Sequence, residues 1–453
     1  MLPKKDYKKM FIEKELGGLG KRIQAARLVR NLSIRKTAEL AGVSESSVRS
    51  AEKGKETLSM GIYLKLLIVL GGGRDLERIL DDEEYAMYQS SAFSRELKKT
   101  HRGKQTMLLM NRNTPVFSFS LWMPSLTVDS VVKIYDLDAG PVCLIDSYKN
   151  KEKLIADFLV WLKDRTSPLE RIEYGCDGRI YPRVFKNHAI NLSTPYWLER
   201  EGEGHTWETI NPFTRDFEHL GPSPDICTNG MQRKYWEIRN GTTRLIKETG
   251  GGMEAAGEVF ASRILDRLGI PHVPYDMEMR GDIAVSRYPL FTSEKMEYVP
   301  AWEILGKVKP LEGYGLYEHF LACVESWHIP VTEKEIGTML LFDDLIANRD
   351  RHMGNFGFLR DTGNGKFLGM APLFDHGASP AGILYFHGKD FCRPFASTFR
   401  EQQAYAKKGS LSLDSITGGF LEEIIPREGL EEKDREKMIS QVMKNKTEIE
   451  QFL

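Results

Sequence analysis

The sequence lacks the features that mark secreted, membrane-spanning and disulfide-stabilised proteins. Its five cysteines, at positions 143, 176, 227, 323 and 392, form no C-x-x-C pair, which indicates neither a zinc site nor a disulfide framework. The N-terminus has no apolar signal-peptide core, and the most apolar run, 60–70, is short and contains Lys65. We therefore expect a protein of the reducing cytoplasm that makes no use of a membrane.

Net charge is almost absent as well. The 453 residues carry a formal charge of −1, so overall charge gives no reason to expect a polyanionic partner. The distribution is uneven, however, because residues 1–60 contain 14 Lys or Arg against 7 Asp or Glu. A basic N-terminal end on a near-neutral chain suggests nucleic acid as a partner. The chain length predicts about two to four folding units.

Residues 18–80 have the pattern of a compact helical bundle. Ser33 is expected to cap one helix and Ser44 the next. Gly42 permits the turn between them, and Val43 and Val48 are expected to be buried beneath that turn. A helical bundle used only for dimerisation is the alternative interpretation.

The segment 38–49 resembles the helix-turn-helix of phage repressors and HipB-like antitoxins. The resemblance implies that the second helix enters the major groove of DNA and that the module pairs as a homodimer. Base contacts are then expected from Ser46, Ser47 and Arg49. Phosphate contacts are expected from Lys21, Arg22, Arg35 and Lys36.

The pattern of apolar residues in the sequence becomes strand-like near residue 115. Residues 116–121 alternate at period two, 131–135 indicate a second strand, and 153–163 form an amphipathic helical pattern. The aromatic segment that follows, up to residue 213, is expected to be a scaffold packed on a larger domain.

The strongest chemical signal lies in residues 348–355, where Asp350 is followed five residues later by Asn355. This spacing resembles the protein-kinase catalytic loop H-R-D-x-x-x-x-N. Phosphoryl transfer needs a carboxylate that orients the attacking hydroxyl, together with oxygen ligands that hold Mg²⁺ against the phosphates. Asp350 suits the first role, and Asn355 with Asp375 suits the second.

The residues between these two motifs predict how they meet. Apolar runs at 356–359 and 367–374 flank a strong turn signal at 361–365, which indicates a β-hairpin. Such a hairpin begins beside Asn355 and ends beside Asp375, so both reach one metal. In the alternative interpretation, these side chains only cap a loop and a turn.

A nucleotide-binding half is predicted upstream. Strands at 235–238 and 244–247 are joined by an Asn240-Gly241 turn, and the second strand carries Lys247. This lysine is expected to meet ATP phosphates and to pair with Glu258 or Glu254 on the following helix. A surface lysine is the alternative. The chain has no G-x-x-x-x-G-K-[ST] or G-x-G-x-x-G motif.

Residues 258–265, 345–357 and 371–375 resemble the HipA-like serine/threonine kinase family, and the likeness spans about 115–400. The resemblance implies an α+β, kinase-like two-lobed fold related to the phosphatidylinositol kinases, preceded here by the all-α bundle. The expected domains are a helix-turn-helix at 1–80, a linker or helical segment at 81–110, a HipA N-terminal-like subdomain at 111–215, and a kinase domain at 216–453 whose N-lobe ends near 295.

The resemblance also implies roles for individual residues. Asp350 is the expected catalytic base, Asn355 and Asp375 are the expected magnesium ligands, and Lys247 with Glu258 belongs to the ATP site. A loop over the phosphates is expected at Thr228, Asn229, Gly230 and Lys234. In the family a hydroxyl in or near this loop can be autophosphorylated, and the hydroxyls available here are Ser223 and Thr228.

These features favour an ATP- and Mg²⁺-dependent serine/threonine protein kinase fused to a DNA-binding module, with a toxin–antitoxin or regulatory role and a protein substrate that the sequence does not name. The alternative is a transcriptional regulator whose kinase-like domain only binds nucleotide or a partner. A lipid kinase is disfavoured, because no basic amphipathic membrane segment is present. In a one-chain arrangement, the N-terminal module is expected to repress its own promoter or to hold the kinase near DNA, and inhibition of the kinase by this module is a further hypothesis.

Overall fold

The computed structural model divides the chain into two compact units, Met1–His101 and Arg102–Leu453. The structure describes residues 16–17, 19–21, 23–24, 26–28, 32–70, 103–123, 126–147, 149–166, 180, 182–214, 234–239, 242–249, 252–281, 283–310, 312–379 and 392–452.

The first unit is helical. Its helices are α1 (Ile34–Ala41), α2 (Glu45–Glu52) and α3 (Met60–Val69), and the described residues between 16 and 28 are helical too. Both predicted N-caps are present, because the Ser33 hydroxyl accepts the Lys36 N–H and the Ser44 hydroxyl accepts the Ser47 N–H, each at 3.1 Å.

The turn between α1 and α2 depends on Gly42. This residue has φ +60°, a left-handed conformation that L side chains rarely adopt, and its N–H closes the end of α1. Val48 and Ala51 of α2 are fully buried against Ala38 and Leu66, whereas Val43 is only half-buried. The apolar faces of the short helices therefore form one small core.

The second unit begins with an antiparallel sheet in the order β3-β2-β1-β4. Its strands are β1 (Lys104–Asn111), β2 (Thr114–Trp122), β3 (Thr127–Ile134) and β4 (Tyr196–Arg200). The sheet starts inside the segment 81–110 that was expected to be a linker, so the boundary lies earlier than residue 111. Helices α4 (Lys151–Lys163), α5 (Pro182–Lys186) and α6 (Trp207–Ile210) accompany these strands.

Strand β2 is buried on both faces and does not show the expected period-two alternation of burial. Phe117 and Phe119 pack against Phe158 of α4, with ring centroids 5.1 and 5.0 Å away. Val116, on the opposite face, lies against the turn at Gly140. Because apolar side chains on both faces of β2 pack against other parts of the unit, polar residues between them lose exposure to solvent as well.

A second antiparallel sheet, in the order β5-β6-β8-β7, carries the predicted lysine strand. It contains β5 (Lys234–Arg239), β6 (Thr242–Thr249), β7 (Asp276–Arg280) and β8 (Ile283–Pro289). Helix α7 (Met253–Leu268) connects β6 to β7 and buries one face against this sheet and the helices that follow.

The third sheet contains the predicted hairpin. Its order is β11-β10-β9, with β9 (Met296–Pro300), β10 (Gly357–Asp361) and β11 (Phe367–Met370). Gly357 starts β10 opposite Pro300, where a Cβ atom would lie 2.1 Å from the Val299 carbonyl oxygen. A glycine is therefore required at this position, two residues after Asn355.

A helical region completes the unit. It comprises α8 (Leu316–Ser326), α9 (Glu333–Leu345), α10 (Phe399–Ala406), α11 (Gly418–Ile424) and α12 (Glu432–Phe452), packed around Phe320, Leu340, Phe342 and Met438. The mixed fold with antiparallel sheets agrees with the α+β prediction. Within the part of the chain that the structure describes, no helix combines the length and apolar character needed to cross a bilayer.

Candidate active site

A cavity of about 650 Å³ opens between the second sheet, helix α7 and the β10–β11 hairpin. It brings together side chains from six stretches of the sequence, 161–165, 191–194, 234–258, 288–303, 350–355 and 374–378. Those predicted from the sequence are Lys234, Lys247, Glu258, Asp350, Asn355 and Asp375.

Lys247 lies at the centre of this group. Its Nζ is 2.6 Å from Glu258 Oε1 on α7 and 2.7 Å from Asp375 Oδ1 beyond the hairpin. The lysine is 2% exposed, so the interpretation as a surface lysine is wrong. Of the two glutamates considered from the sequence, Glu258 is the one that forms this ion pair.

The oppositely charged groups in the cavity stabilise each other's charged forms. Burial opposes a charge on Lys247, but Asp375 and Glu258 raise the pKa of its ammonium group well above the ordinary value. Burial also opposes ionisation of Asp375, yet Lys247 and Lys234 hold its pKa below the usual range. Both groups are therefore charged at neutral pH. Burial raises the pKa of Glu258, and Lys247 partly opposes that shift.

Lys234 was expected at the end of a phosphate-covering loop but is the first residue of β5. Its Cα is paired with that of Lys247 across the β5–β6 ladder. Burial and the nearby Lys247 charge lower the pKa of Lys234 to about 8. The rest of the predicted loop, with Ser223, Thr228, Asn229 and Gly230, lies outside the described residues.

Strand β8 and the segment before β7 add side chains that sequence reasoning missed. The Ser286 hydroxyl donates to Glu258, and Tyr275 and Tyr288 place their rings 5.7 and 5.5 Å from Lys247 Nζ. Ser286 and Tyr288 are two residues apart and share one face of the strand. The spacing was visible in the sequence, but the Lys247 contact depends on the β6–β8 register.

The segment 348–355, which contains Asp350 and Asn355, is held in place by Arg351, another residue that sequence reasoning missed. This fully buried guanidinium bonds both oxygens of Asp343, at 2.9 and 3.0 Å. It also donates to the carbonyl oxygens of Asn355 at 2.5 Å and Phe374 at 2.8 Å. One side chain therefore connects the backbone at both predicted metal ligands. A signal was available, because Asp343 is a charged residue within an apolar run of α9.

Asp350 and Asn355 are linked through the backbone of the same segment. The Asn355 side-chain amide donates to the Asp350 carbonyl oxygen at 2.9 Å. The Asp350 carboxylate is half exposed, and Arg393 lies 3.7 Å from one of its oxygens. A half-exposed carboxylate in a cavity can still contact a substrate that enters from solvent.

The predicted magnesium ligands fit a hard divalent cation. The Asn355 amide nitrogen is already used, which leaves its oxygen as the ligand atom, and Lys247 contacts only one oxygen of Asp375. Asp375 has φ +61°, a left-handed conformation that fixes its position directly after the hairpin. An amide oxygen and a carboxylate oxygen are the ligands that Mg²⁺ prefers.

The far end of the cavity has a polar wall that the sequence did not indicate. Asp164, Arg165 and Thr194, from the region of the first sheet, line the cavity together with Glu303. Burial, with the nearby Glu297 and Asp164, raises the pKa of Glu303 to about 8. The cavity therefore extends beyond the lysine and metal-ligand cluster into the scaffold predicted at 111–215.

The residues predicted to contact DNA lie in the first unit. Ser46 and Ser47 have their hydroxyls 2.8 Å from Ser44 Oγ. Arg49 is exposed and lies 3.8 Å from Glu45, one turn earlier. Lys21, Arg35 and Lys36 are also exposed, with Lys36 Nζ 3.0 Å from Glu39. Arg22 lies outside the described residues.

Comparisons with known proteins give distant similarities. No protein-family model matches the chain. The GTPase Obg of Akkermansia muciniphila is 27% identical over 160 residues, which cover 32% of this chain and only 40% of that protein. The solved proinflammatory kinase CtkA of Helicobacter pylori has a TM-score of 0.39 at 19% identity, with 52% of this chain and 94% of that chain covered.

A second solved structure is the toxin–antitoxin complex of HipA, HipB and operator DNA from Shewanella oneidensis MR-1. One of its chains is 14% identical with a TM-score of 0.41, and the match covers 77% of this chain and 91% of that chain. At such TM-scores the likeness is too distant to decide an activity, which depends on the side chains in the cavity.

Proposed function

We propose that the second unit is an ATP- and Mg²⁺-dependent kinase that phosphorylates serine or threonine in a protein substrate. The observation that carries this proposal is the contact of Lys247 with both Glu258 and Asp375 in the cavity that also holds Asp350 and Asn355. A strand lysine paired with a helix glutamate is the arrangement that orients nucleotide phosphates in kinases.

Each of these residues has a chemical task. Lys247, and Lys234 beside it, bind phosphate oxygens, and Glu258 holds the Lys247 ammonium in position. Asn355 and Asp375 would hold Mg²⁺, which would supply the positive charge that phosphoryl transfer requires at the phosphates. Asp350 orients the substrate hydroxyl and accepts its proton, and Arg351 positions the two loops that carry these groups.

We further propose that the first unit binds DNA through α2 as a homodimer. Ser46 and Arg49 are exposed near the start of this helix, and the net charge of residues 1–60 is +7. Exposed polar and basic side chains at the start of a capped helix are suited to the major groove. The expected role is a toxin–antitoxin or regulatory kinase.

The kinase proposal is tested by phosphosite mapping. The full chain is incubated with Mg-ATP, alone and with a bacterial cell extract, and is compared with Asp350→Asn. We expect new phosphate on serine or threonine with the wild type only, in the protein itself or in an extract protein. Phosphorylation patterns that are the same for both proteins would contradict the proposal.

A further inference from the structure

Two histidines and a glutamate converge on the outer edge of the first sheet. His188 follows α5, Glu199 lies on β4, and His205 lies in the turn before α6. One ligand atom of each side chain lies within 4.8 Å of the others. Of the described residues that line the active-site cavity, none belongs to this cluster.

The local backbone holds His188 in place. Its carbonyl oxygen accepts the Leu198 N–H at 2.7 Å, and its Nδ1 is 3.0 Å from the Leu198 carbonyl oxygen. This second contact makes Nδ1 the protonated nitrogen and leaves Nε2 with a lone pair. A backbone carbonyl bonded to one ring nitrogen is the usual support of a histidine that ligates metal through the other.

Glu199 and His205 approach each other from the two ends of a short turn. Glu199 is 6% exposed, and its two oxygens lie 3.0 Å from the backbone nitrogen and from Nδ1 of His205. Glu203, in the same turn, has an oxygen 3.7 Å from His205 Nδ1. The carboxylates therefore surround one ring nitrogen of His205.

We propose that His188, Glu199 and His205 bind a divalent transition metal of the Zn²⁺ class. Two imidazoles exclude Mg²⁺ and Ca²⁺ as the preferred ions, because those ions select oxygen ligands. Metal–ligand bonds of about 2.0–2.2 Å at tetrahedral angles place ligand atoms roughly 3.3 Å apart. Side-chain movements of about 1–2 Å bring the present cluster to that spacing.

The site has a structural role in this account. β4 pairs with β1, and the three ligands come from β4, from the turn after α5 and from the turn before α6. A metal bound there joins these segments and stabilises the edge of the sheet. Because imidazole binds metal only when it is neutral, Zn²⁺ affinity falls as pH decreases.

The proposal is tested by titrating the metal-free full chain with ZnCl₂ in the presence of excess Mg²⁺, which occupies the oxygen-ligand site. One equivalent is expected to bind and to raise the melting temperature. His205→Ala and Glu199→Gln are each expected to lower Zn²⁺ affinity by more than about tenfold. Co²⁺ in place of Zn²⁺ is expected to give the visible absorption bands of a tetrahedral site.

His328→Asn is the matched control. His328 is exposed and has φ +52°, a conformation that Asn tolerates. This variant is expected to bind Zn²⁺ like the wild type. Absence of Zn²⁺ binding by the wild type would overturn the proposal, and so would binding by Glu199→Gln as tight as that of His328→Asn. Melting curves of the metal-free variants separate loss of a ligand from loss of the fold.

Discussion

Lys247 and Asp375 are 128 residues apart in the sequence, and their Nζ and Oδ1 atoms lie 2.7 Å apart in the structure. The contact joins the centre of the second sheet to the end of the hairpin that carries the predicted metal ligands. Because Glu258 holds the same ammonium group, the lysine proposed to bind phosphate and the carboxylate proposed to bind metal are positioned together.

The Glu258 contact predicts a difference between two glutamates on one helix. Glu258→Gln removes the buried carboxylate that orients Lys247, so kcat/KM for ATP is expected to fall by about 10- to 100-fold. Glu254→Gln, one turn earlier on α7, is the matched control and is expected to have a smaller effect. Steady-state kinetics of both variants measures this, and equal losses would show that Glu258 has no special role.

The lowered pKa of Lys234 predicts a pH dependence. Its ammonium group is charged below about pH 8 and loses its proton as pH rises through that value. Because the charged form binds phosphate, kcat/KM for ATP is expected to decrease as pH rises from 7 to 9. Lys234→Arg, which stays charged, is expected to flatten the profile. A wild-type profile without this decrease would be inconsistent with phosphate binding by Lys234.

The Asp343–Arg351 pair predicts a large loss of stability on truncation. Both side chains are fully buried, so Asp343→Ala leaves a buried guanidinium without its carboxylate and is expected to lower the free energy of unfolding by about 3–5 kcal/mol. Lys408→Ala breaks an exposed pair with Glu333 and is expected to cost less than about 1 kcal/mol. Chemical denaturation of the two variants compares these values, and similar losses would contradict the account.

The exposed arginine of α2 predicts the strength of DNA binding. Arg49→Ala is expected to weaken binding to a preferred duplex by about 1–3 kcal/mol. Lys65→Ala removes the same charge from the exposed side of α3 and is expected to leave binding nearly unchanged. Fluorescence anisotropy over a range of salt concentrations measures both effects. Equal effects of the two substitutions would indicate that only net charge matters and that α2 does not read the bases.

Local sequence signals predicted the parts of the fold that depend on local interactions. The caps at Ser33 and Ser44 follow from side chains that bond the backbone three residues ahead. The β10–β11 hairpin follows from two apolar runs around a turn, and its strands pair as expected. Spacing within these segments was therefore enough to predict that Asn355 and Asp375 lie in one cavity.

Contacts between distant segments could not be predicted from the sequence in the same way. The position of Tyr288 next to Lys247 depends on which residues of β6 and β8 are opposite each other. Arg351 resembles any other loop arginine in the sequence, and although Asp343 within an apolar run signals a buried charge, only the fold shows that Arg351 is its partner. Lys234 was assigned to a loop because one lysine at the start of a strand carries no periodic pattern.

The central claim is tested most directly by comparing the wild type with Asp350→Asn in two assays, calorimetric binding of Mg-ATP and formation of ADP. Asp350 is half exposed and is proposed to contact the substrate hydroxyl and not the nucleotide, so the substitution is expected to leave ATP affinity unchanged. Transfer is expected to slow by about 100-fold or more. Failure of the wild type to bind Mg-ATP, or equal turnover by both proteins, would contradict the account.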